Sequence, residues 1–361
     1  MAPRRALVCM SGGVDSTVAA WLLRKQGFEV EGVTFWFWSF PGAPEYAGAT
    51  KCCELDTAKL AAHELGIPHR TVDASDPFYR KVLSEFVVRY RAGQTPNPCG
   101  RCNRSLRFGL ALEIAERDGF DLVATGHHVR TETTPDGLVG LFRGSDPKKD
   151  QTYFLYGLKP SDLRRLIFPI GEMSKDDVRQ IAVREHLSSA ELPESQDLCF
   201  ALHGNADFLF TEEDLAPGPI VDREGNVLGE HRGLVRYTIG QRRGLRIASV
   251  APLYVVAIDP KRNTLVVGRE GDLLTAGLVA GDANYLAPRP VSGSELRVKI
   301  RYRTPAVSVV YEPITDLQFR LRFAEPQRAV TPGQIAALYA GDRILGGGII
   351  ENTIPIDCTS A

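Results

Sequence analysis

The chain lacks any long apolar run. No stretch approaches the roughly 18–20 uninterrupted apolar residues needed to cross a bilayer, which excludes a helical membrane anchor. The opening Met1-Ala-Pro-Arg-Arg5 leads straight into a strand pattern, with no secretory h-region or cleavage site, so a cytoplasmic location is expected. Net charge is lacking too: 43 Lys and Arg against 44 Asp and Glu leave −1, so any attraction to a polyanion must be local. Internal repeats and low-complexity tracts are absent. Cysteine is present in an odd number, Cys9, Cys52, Cys53, Cys99, Cys102, Cys199 and Cys358, which argues against a disulfide framework and for thiol or metal chemistry.

What is present is a soluble, globular composition, 43% hydrophobic and 24% charged, over 361 residues. That length exceeds one ordinary core and implies two or three domains. Charge is clustered: five Arg and no acid lie between Arg89 and Arg107, and five more between His231 and Arg246. A third cluster, Arg297, Lys299, Arg301 and Arg303, faces one acid, Glu295. Solvated faces account for such clusters in many proteins; three in a neutral chain also fit a polyanionic partner.

Strands are predicted over 4–9, 29–37, 69–73 and 121–125, with helices over 17–26, 55–65, 77–90 and 105–117 between them. The second strand, with Val30, Val33, Phe35, Trp36 and Phe37, is apolar almost throughout, as in a parallel sheet covered on both faces. The pattern predicts a doubly wound α/β domain whose ligands bind beyond the strand C-termini. A Pro- and Gly-rich loop is expected from Ser39 to Lys51, and a turn between short strands at Thr133–Gly137. Short helices such as Lys175–His186 then give way, after about Ala216, to short alternating runs. From Leu253 these recur as strands, predicting a small barrel or sandwich. The expected division is 1–160, 161–248 and 249–361.

The first chemical motif is Cys9-Met10-Ser11-Gly12-Gly13-Val14-Asp15-Ser16. A strand, a glycine turn and a helix start bring unpaired N–H groups together as an anion site, with Asp15 or Ser16 expected as N-cap. No Lys follows the glycines, so it is not a Walker A loop. The second is Thr95-Pro-Asn-Pro-Cys-Gly-Arg-Cys-Asn103, where two prolines favour an extended loop and Arg101, Arg104 and the following helix start would favour thiolate. The Cys99–Cys102 pair is open to nucleophilic, redox or metal-ligand roles. Cys199, in Glu194-Ser-Gln-Asp-Leu-Cys-Phe200, also reads as a loop entering a core.

SGGVDS resembles the PP-loop of ATP pyrophosphatases. With TPNPxxxCN, ATGHH, KDQTYFL at 149–155, the Cys199 segment, GQRRGL at 240–245, Arg301-Tyr302-Arg303, Thr331-Pro-Gly-Gln334 and Gly346 to Glu351, the order is similar to that of the tRNA-specific 2-thiouridylases of the MnmA family. The resemblance covers nearly the whole chain. It implies a PP-loop α/β domain, a small central linker domain carrying the second catalytic cysteine, and a C-terminal tRNA-binding β-barrel. The implied reaction adenylates the C2 oxygen of the wobble uridine with ATP and Mg²⁺, then replaces it with sulfur from a persulfide. By motif position Cys199 carries the persulfide and Cys102 is the second catalytic thiol. Cys9, Met10, Ser11, Gly12, Gly13, Val14, Asp15 and Ser16 bind the phosphates of ATP, and Phe35 and Gly126 its nucleoside. Asn97, Pro98 and Cys99 border the flipped target base. His127, Lys149, Asp150, Gln151, Arg301, Tyr302 and Gln334 touch tRNA.

Implied partners are the tRNAs for Glu, Gln and Lys and a sulfur donor such as a cysteine desulfurase or relay protein. Some members carry an acid where this chain has Cys99. Three thiols, Cys99, Cys102 and Cys199, therefore also permit a [4Fe–4S] cluster that delivers sulfide. Cys52 and Cys53 are either a further metal or redox pair or ordinary loop thiols, and Cys9 and Cys358 are read as structural. Competing readings are a tRNA-binding adaptor with a degenerate nucleotide site and an amidotransferase-linked PP-loop ligase.

Overall fold

The structure, a computed structural model, describes residues 3–37, 55–193, 198–201 and 205–356. The 39–51 loop, Cys52, Cys53, residues 194–197 and Cys358 lie outside the described residues.

The N-terminal domain begins with β1 (Arg5–Cys9), α1 (Val14–Lys25), β2 (Glu29–Trp36), α2 (Leu55–Glu64) and β3 (His69–Asp73). Two helical runs follow. One comprises α3 (Ser75–Phe78), a π turn at 79–83 and α4 (Ser84–Arg91); the other comprises α5 (Pro98–Cys102), a π turn at 103–107 and α6 (Phe108–Arg117). Then come β4 (Leu122–Thr125), a hairpin of β5 (Val129–Thr133) and β6 (Val139–Arg143), β7 (Leu166–Ile167) and α7 (Lys175–Arg184).

The sheet is parallel with order β3-β2-β1-β4-β7. Alternate residues of its strands enter different cores: Leu7, Val33 and Val123 join one, Ala6, Val8 and Ala124 the other. The sheet is therefore covered on both faces, as the apolar run in β2 predicted. Strand order reverses between β1 and β4, where Cys9 pairs with Thr125. The turns leaving these two strands face each other across the crevice where open α/β sheets bind ligands.

A central four-stranded sheet has the order β10-β11-β8-β9, from β8 (Gly218–Val221), β9 (Val227–His231), β10 (Tyr254–Asp259) and β11 (Thr264–Gly268). The sequence reading grouped the strands from Leu253 onward with the C-terminal β region. Instead β11 pairs with β8 through Leu265↔Ile220, and Ile220, Leu234, Tyr237, Leu245, Val255, Leu265 and Val267 share one core. Alternation identifies a strand but not the partner that covers its apolar face.

The C-terminal unit comprises β12 (Leu274–Tyr285), β13 (Ser294–Lys299), β14 (Val307–Thr315), β15 (Gln318–Arg328), β16 (Ile335–Ala340) and β17 (Arg343–Ile354). These run antiparallel in the order β12-β15-β14-β13-β16-β17, and β12–β17 pairing closes the barrel. At one end β17 also pairs with β6 through Arg343↔Phe142 and Ile344↔Leu141, so the N-terminal domain lends its hairpin to the barrel sheet.

Candidate active site

The turn after β1 is built on hydrogen bonds among its own short side chains. Ser16 Oγ accepts from the Ser11 N–H at 3.2 Å and donates to the Gly13 carbonyl at 3.0 Å, and Thr17 Oγ1 donates to that same carbonyl at 3.0 Å. Gly13 is the N-cap of α1, not Asp15 or Ser16. Gly12 has φ +82°, and a Cβ there would lie 2.2 Å from Thr57 Oγ1. Gly126, just beyond β4, abuts the start of α1: its Cβ would lie 2.6 Å from both Asp15 C and Ser16 N. At both turns the glycine leaves room that a side chain would fill.

Asp15 is occupied by partners that the sequence reading missed. Lys175 Nζ donates to Asp15 Oδ1 at 2.6 Å, and His128 Nε2 lies 3.4 Å from that same oxygen. Lys175 is the first residue of α7, held there by Ser174, whose side chain caps the helix in a reciprocal capping box with Asp177. Both Lys175 and His128 are buried. Burial would raise the Asp15 pKa, but the His128 hydrogen bond and the Lys175 charge outweigh it and hold the carboxyl below its ordinary value. The Lys175–His186 helix was predicted; its meeting with Asp15 was not.

The two thiols of the C-x-x-C lie on a helix, not an extended loop. Asn97 caps α5, its side chain accepting from the Gly100 N–H at 3.0 Å, and Pro98 occupies the first turn, where its missing N–H costs nothing. Cys99 is exposed and Cys102 buried. The arginines expected to depress their pKa are engaged elsewhere: Arg101 pairs with Glu85 at 2.6 Å, and Arg104 bridges to Asp282 at 2.8 Å. Arg107, one turn further on, is the member of this series that lines the cavity below. Cys199 is anchored by its neighbour: Phe200 is buried, edge-on to Phe86 at 5.0 Å and 6.1 Å from Phe78.

One cavity of about 1320 Å³ collects these groups. Ser11, Gly13, Val14 and Asp15 line it together with Asn97, Pro98, Cys99, Cys102 and Cys199. Both π turns contribute, through Val82 and through Asn103 and Arg107, in keeping with the frequency of π segments at functional sites. Phe35 is not brought there; it is buried in the core beneath the sheet. Although the three cysteines share the cavity, no group of three His, Cys, Asp or Glu side chains among the described residues is placed to hold a metal ion.

The cavity wall is cationic, with Arg107, Arg143, Lys148, Lys149, Lys175, Lys299, Arg301 and Arg303 against Asp15 and Asp150. His127 and Gln151 line it as well, as do Tyr302, 4.4 Å from the Phe154 ring, and Gln334. Several of these side chains are engaged within the protein. Asp150 is buried, its Oδ1 accepting from the Thr152 N–H and hydroxyl at 3.0 and 2.7 Å, its Oδ2 3.9 Å from Lys299 Nζ. Gln151 Oε1 accepts from the His128 N–H at 2.9 Å, steadying the histidine on Asp15. Burial lowers the Lys299 pKa despite Asp150.

His127 lies between Phe108 and Phe168, 2.8 Å from Thr125 Oγ1. Burial, and secondarily Arg107, push its pKa down to about 3, so the ring is neutral. Desolvation pushes the thiol of the half-buried Cys9 up to about 11, which keeps it protonated at neutral pH.

An α/β domain with a phosphate-type turn, two cysteine segments and a cationic wall on one cavity fits the class of nucleotide-using enzymes. Residues 4–203 match the family model described as the tRNA methyl transferase HUP domain, 206–269 the matching PRC-barrel domain, and 275–350 an aminomethyltransferase β-barrel domain. The chain is 45% identical over 359 residues to the tRNA-specific 2-thiouridylase MnmA of Geobacter metallireducens, covering 97% of each protein. It is 46% identical over 356 residues to MnmA 1 of Syntrophus aciditrophicus (97% of this chain, 94% of the relative). To MnmA of Moorella thermoacetica it is 43% identical over 358 residues (97% of this chain, all of the relative). The chain belongs to the MnmA family of tRNA-specific 2-thiouridylases.

Proposed function

We propose that this protein is an ATP-dependent tRNA-uridine 2-sulfurtransferase that converts the wobble uridine of tRNA to 2-thiouridine through a persulfide on Cys199. The observation that carries this reading is the convergence on one cavity of the turn residues Ser11, Gly13 and Asp15 with Cys102 and Cys199. Phosphate activation and sulfur transfer then act on the same bound base.

The turn N–H groups and the start of α1 would cradle the phosphates of ATP, with Gly126 allowing close approach beside them. Asp15, whose Oδ1 takes Lys175 and His128, is the carboxylate at this turn; its other oxygen would hold Mg²⁺, which would supply charge neutralisation at the phosphates. The C2 oxygen of the uridine attacks the α-phosphorus and pyrophosphate leaves, turning a poor leaving group into AMP. The terminal sulfur of the Cys199 persulfide attacks C2, and AMP departs. The Cys102 thiolate then attacks the Cys199 sulfur, breaking the sulfur–sulfur bond to the base. This releases 2-thiouridine and leaves a Cys102–Cys199 disulfide, which an external thiol reduces before a persulfide donor, a cysteine desulfurase or relay protein, reloads Cys199.

Asn97, Pro98 and Cys99 border the place of the flipped base, and the cationic wall would hold the RNA backbone. His127, Lys149, Asp150, Gln151, Arg301, Tyr302 and Gln334 belong to that RNA-facing wall. The substrates are the tRNAs for Glu, Gln and Lys.

The test is thiouridine formation in unmodified tRNA by wild type, Cys99→Ala, Cys102→Ala and Cys199→Ala. Loss with the last two and retention with the first is the expected result; full activity of Cys199→Ala would overturn the mechanism. An iron assay on anaerobically purified protein checks the route independently, the expectation being iron-free, active enzyme.

A further inference from the structure

We propose that Arg301 and Gln334, two barrel residues on the RNA-facing wall, are positioning residues for the thiol helix α5. The backbone of Thr95, two residues before the cap Asn97, is held on both sides by the barrel turn 331–334. The Thr95 N–H donates to the Pro332 carbonyl at 2.9 Å, and Gln334 Nε2 donates to the Thr95 carbonyl at 2.8 Å. Gly333, at φ +93°, permits this approach: a Cβ there would lie 2.9 Å from the Thr95 backbone. The hydroxyl of Thr95 reaches the central domain through Thr238 Oγ1 at 3.2 Å. Gly100, on α5 itself, sits against the barrel residue Ile335, whose Cδ1 would be 2.5 Å from an added Cβ.

Arg301 fixes the barrel turn in its turn. Its Nη2 lies 2.6 Å from Thr331 Oγ1, 2.9 Å from the Ala329 carbonyl and 2.9 Å from the Ile239 carbonyl of the central domain. Gln334 Oε1 also accepts from the Tyr153 hydroxyl at 3.3 Å. A connected path therefore runs from Arg301 through Thr331 and Pro332 to Thr95, then to the Asn97 cap and to Cys99 and Cys102. All three domains meet at Thr95. Pinning this peptide sets the entry of the chain into α5, and with it the depth and direction of the Cys102 thiol. The barrel thus sets the geometry of the thiol site before RNA arrives.

The inference rests on Cys102 being a working thiol, and its test needs neither ATP nor tRNA. Iodoacetamide alkylation of Cys102, followed by peptide mass spectrometry from pH 6 to 10, is compared for wild type, Gln334→Glu, Thr331→Val and Thr331→Ser. Gln334→Glu keeps the shape but removes the donor, and Thr331→Ser keeps the acceptor for Arg301. Gln334→Glu and Thr331→Val are expected to change the alkylation rate about five-fold, or to shift its pH midpoint by about 0.7 unit, the scale of one lost hydrogen bond, with Thr331→Ser like wild type. Single-turnover thiolation falls in parallel, and for Thr331→Val, whose residue is buried and does not line the cavity, tRNA affinity stays within about two-fold. An unchanged alkylation profile with tRNA affinity weakened about ten-fold overturns the proposal and makes these residues RNA contacts only. A general failure of thiolation in wild type would count against the proposed function while leaving the alkylation comparison readable.

Discussion

Lys175 Nζ lies 2.6 Å from Asp15 Oδ1, joining the first residue of α7 to the phosphate-type turn across 160 positions of sequence. The turn has no lysine of its own, unlike a Walker A loop, and Lys175 supplies the cation from elsewhere. Lys175→Ala should therefore lower tRNA-dependent pyrophosphate release by about 10²–10³-fold, the scale of one lost electrostatic donor in a transition state. Lys175→Arg should recover part of it. Equal pyrophosphate release by Lys175→Ala and wild type would remove the lysine from the chemistry.

The neutral His127 ring predicts a specific acid sensitivity. With its folded-state pKa lowered to about 3 from 6.5, the unfolded chain binds a proton between those values that the folded chain refuses. Stability from this group is therefore present above pH 6.5 and falls as pH drops towards 3, with a slope of at most about 1.4 kcal/mol per pH unit. His127→Gln, which cannot take the proton, should show a shallower fall of Tm between pH 6.5 and 4 than wild type. Parallel curves would show that the ring is not held neutral.

Cysteine labelling should sort by environment. Cys9, half-buried with its thiol pushed up to about 11, should react far more slowly at pH 7.5 in folded protein under brief iodoacetamide treatment than the exposed Cys99. Peptide mass spectrometry reads both sites at once, and rapid labelling of Cys9 would contradict its placement.

The order of strands and helices in the first domain was legible because buried parallel strands carry continuous apolar runs and their helices end at glycines. The turn after β1 was legible for the same reason, as were the cysteines that share its cavity. Long-range partners were not. Asp15 looked like a cap because capping is a local property, whereas Lys175 and His128 claim its carboxylate from other segments. Arg101 and Arg104 looked like thiol activators because they are neighbours in sequence, yet Glu85 and Asp282 hold them. At Thr95–Asn103 the signals were present but weighed wrongly: Asn97 followed by Pro98 is a cap with proline at the first helical position. The pairing of β11 with β8 depends on which apolar faces meet, and alternation alone does not encode that.

Gly126 should not tolerate a methyl group. A Cβ there meets the Asp15 and Ser16 backbone at 2.6 Å, and backbone cannot rotate away as a side chain does. Gly126→Ala should push the α1 start from the crevice, raising the KM for ATP about ten-fold or more and lowering Tm, with a strain cost on the order of 1–3 kcal/mol. Gly137→Ala is a control for glycine loss without crowding, since its Cβ would meet nothing within 4 Å, although its φ of +77° still costs stability. Wild-type ATP dependence in Gly126→Ala would show that the crevice does not receive the nucleotide.

Lys148 and Arg303 are exposed residues on the cationic cavity wall, reached from the N-terminal domain and the barrel respectively. If they contact the phosphodiester backbone, each releases about one counterion on binding, so the slope of log K against log salt should shrink by about 0.7–0.9 for each residue removed. Lys148→Ala and Arg303→Ala should therefore weaken tRNA binding most at low salt and by similar factors for different tRNAs, because phosphate contacts carry no sequence information. The double variant should change the slope by about the sum, since the two residues come from different domains and act on separate phosphates. Filter binding across a salt series measures it, and a slope identical to that of wild type would place the RNA path elsewhere on the surface.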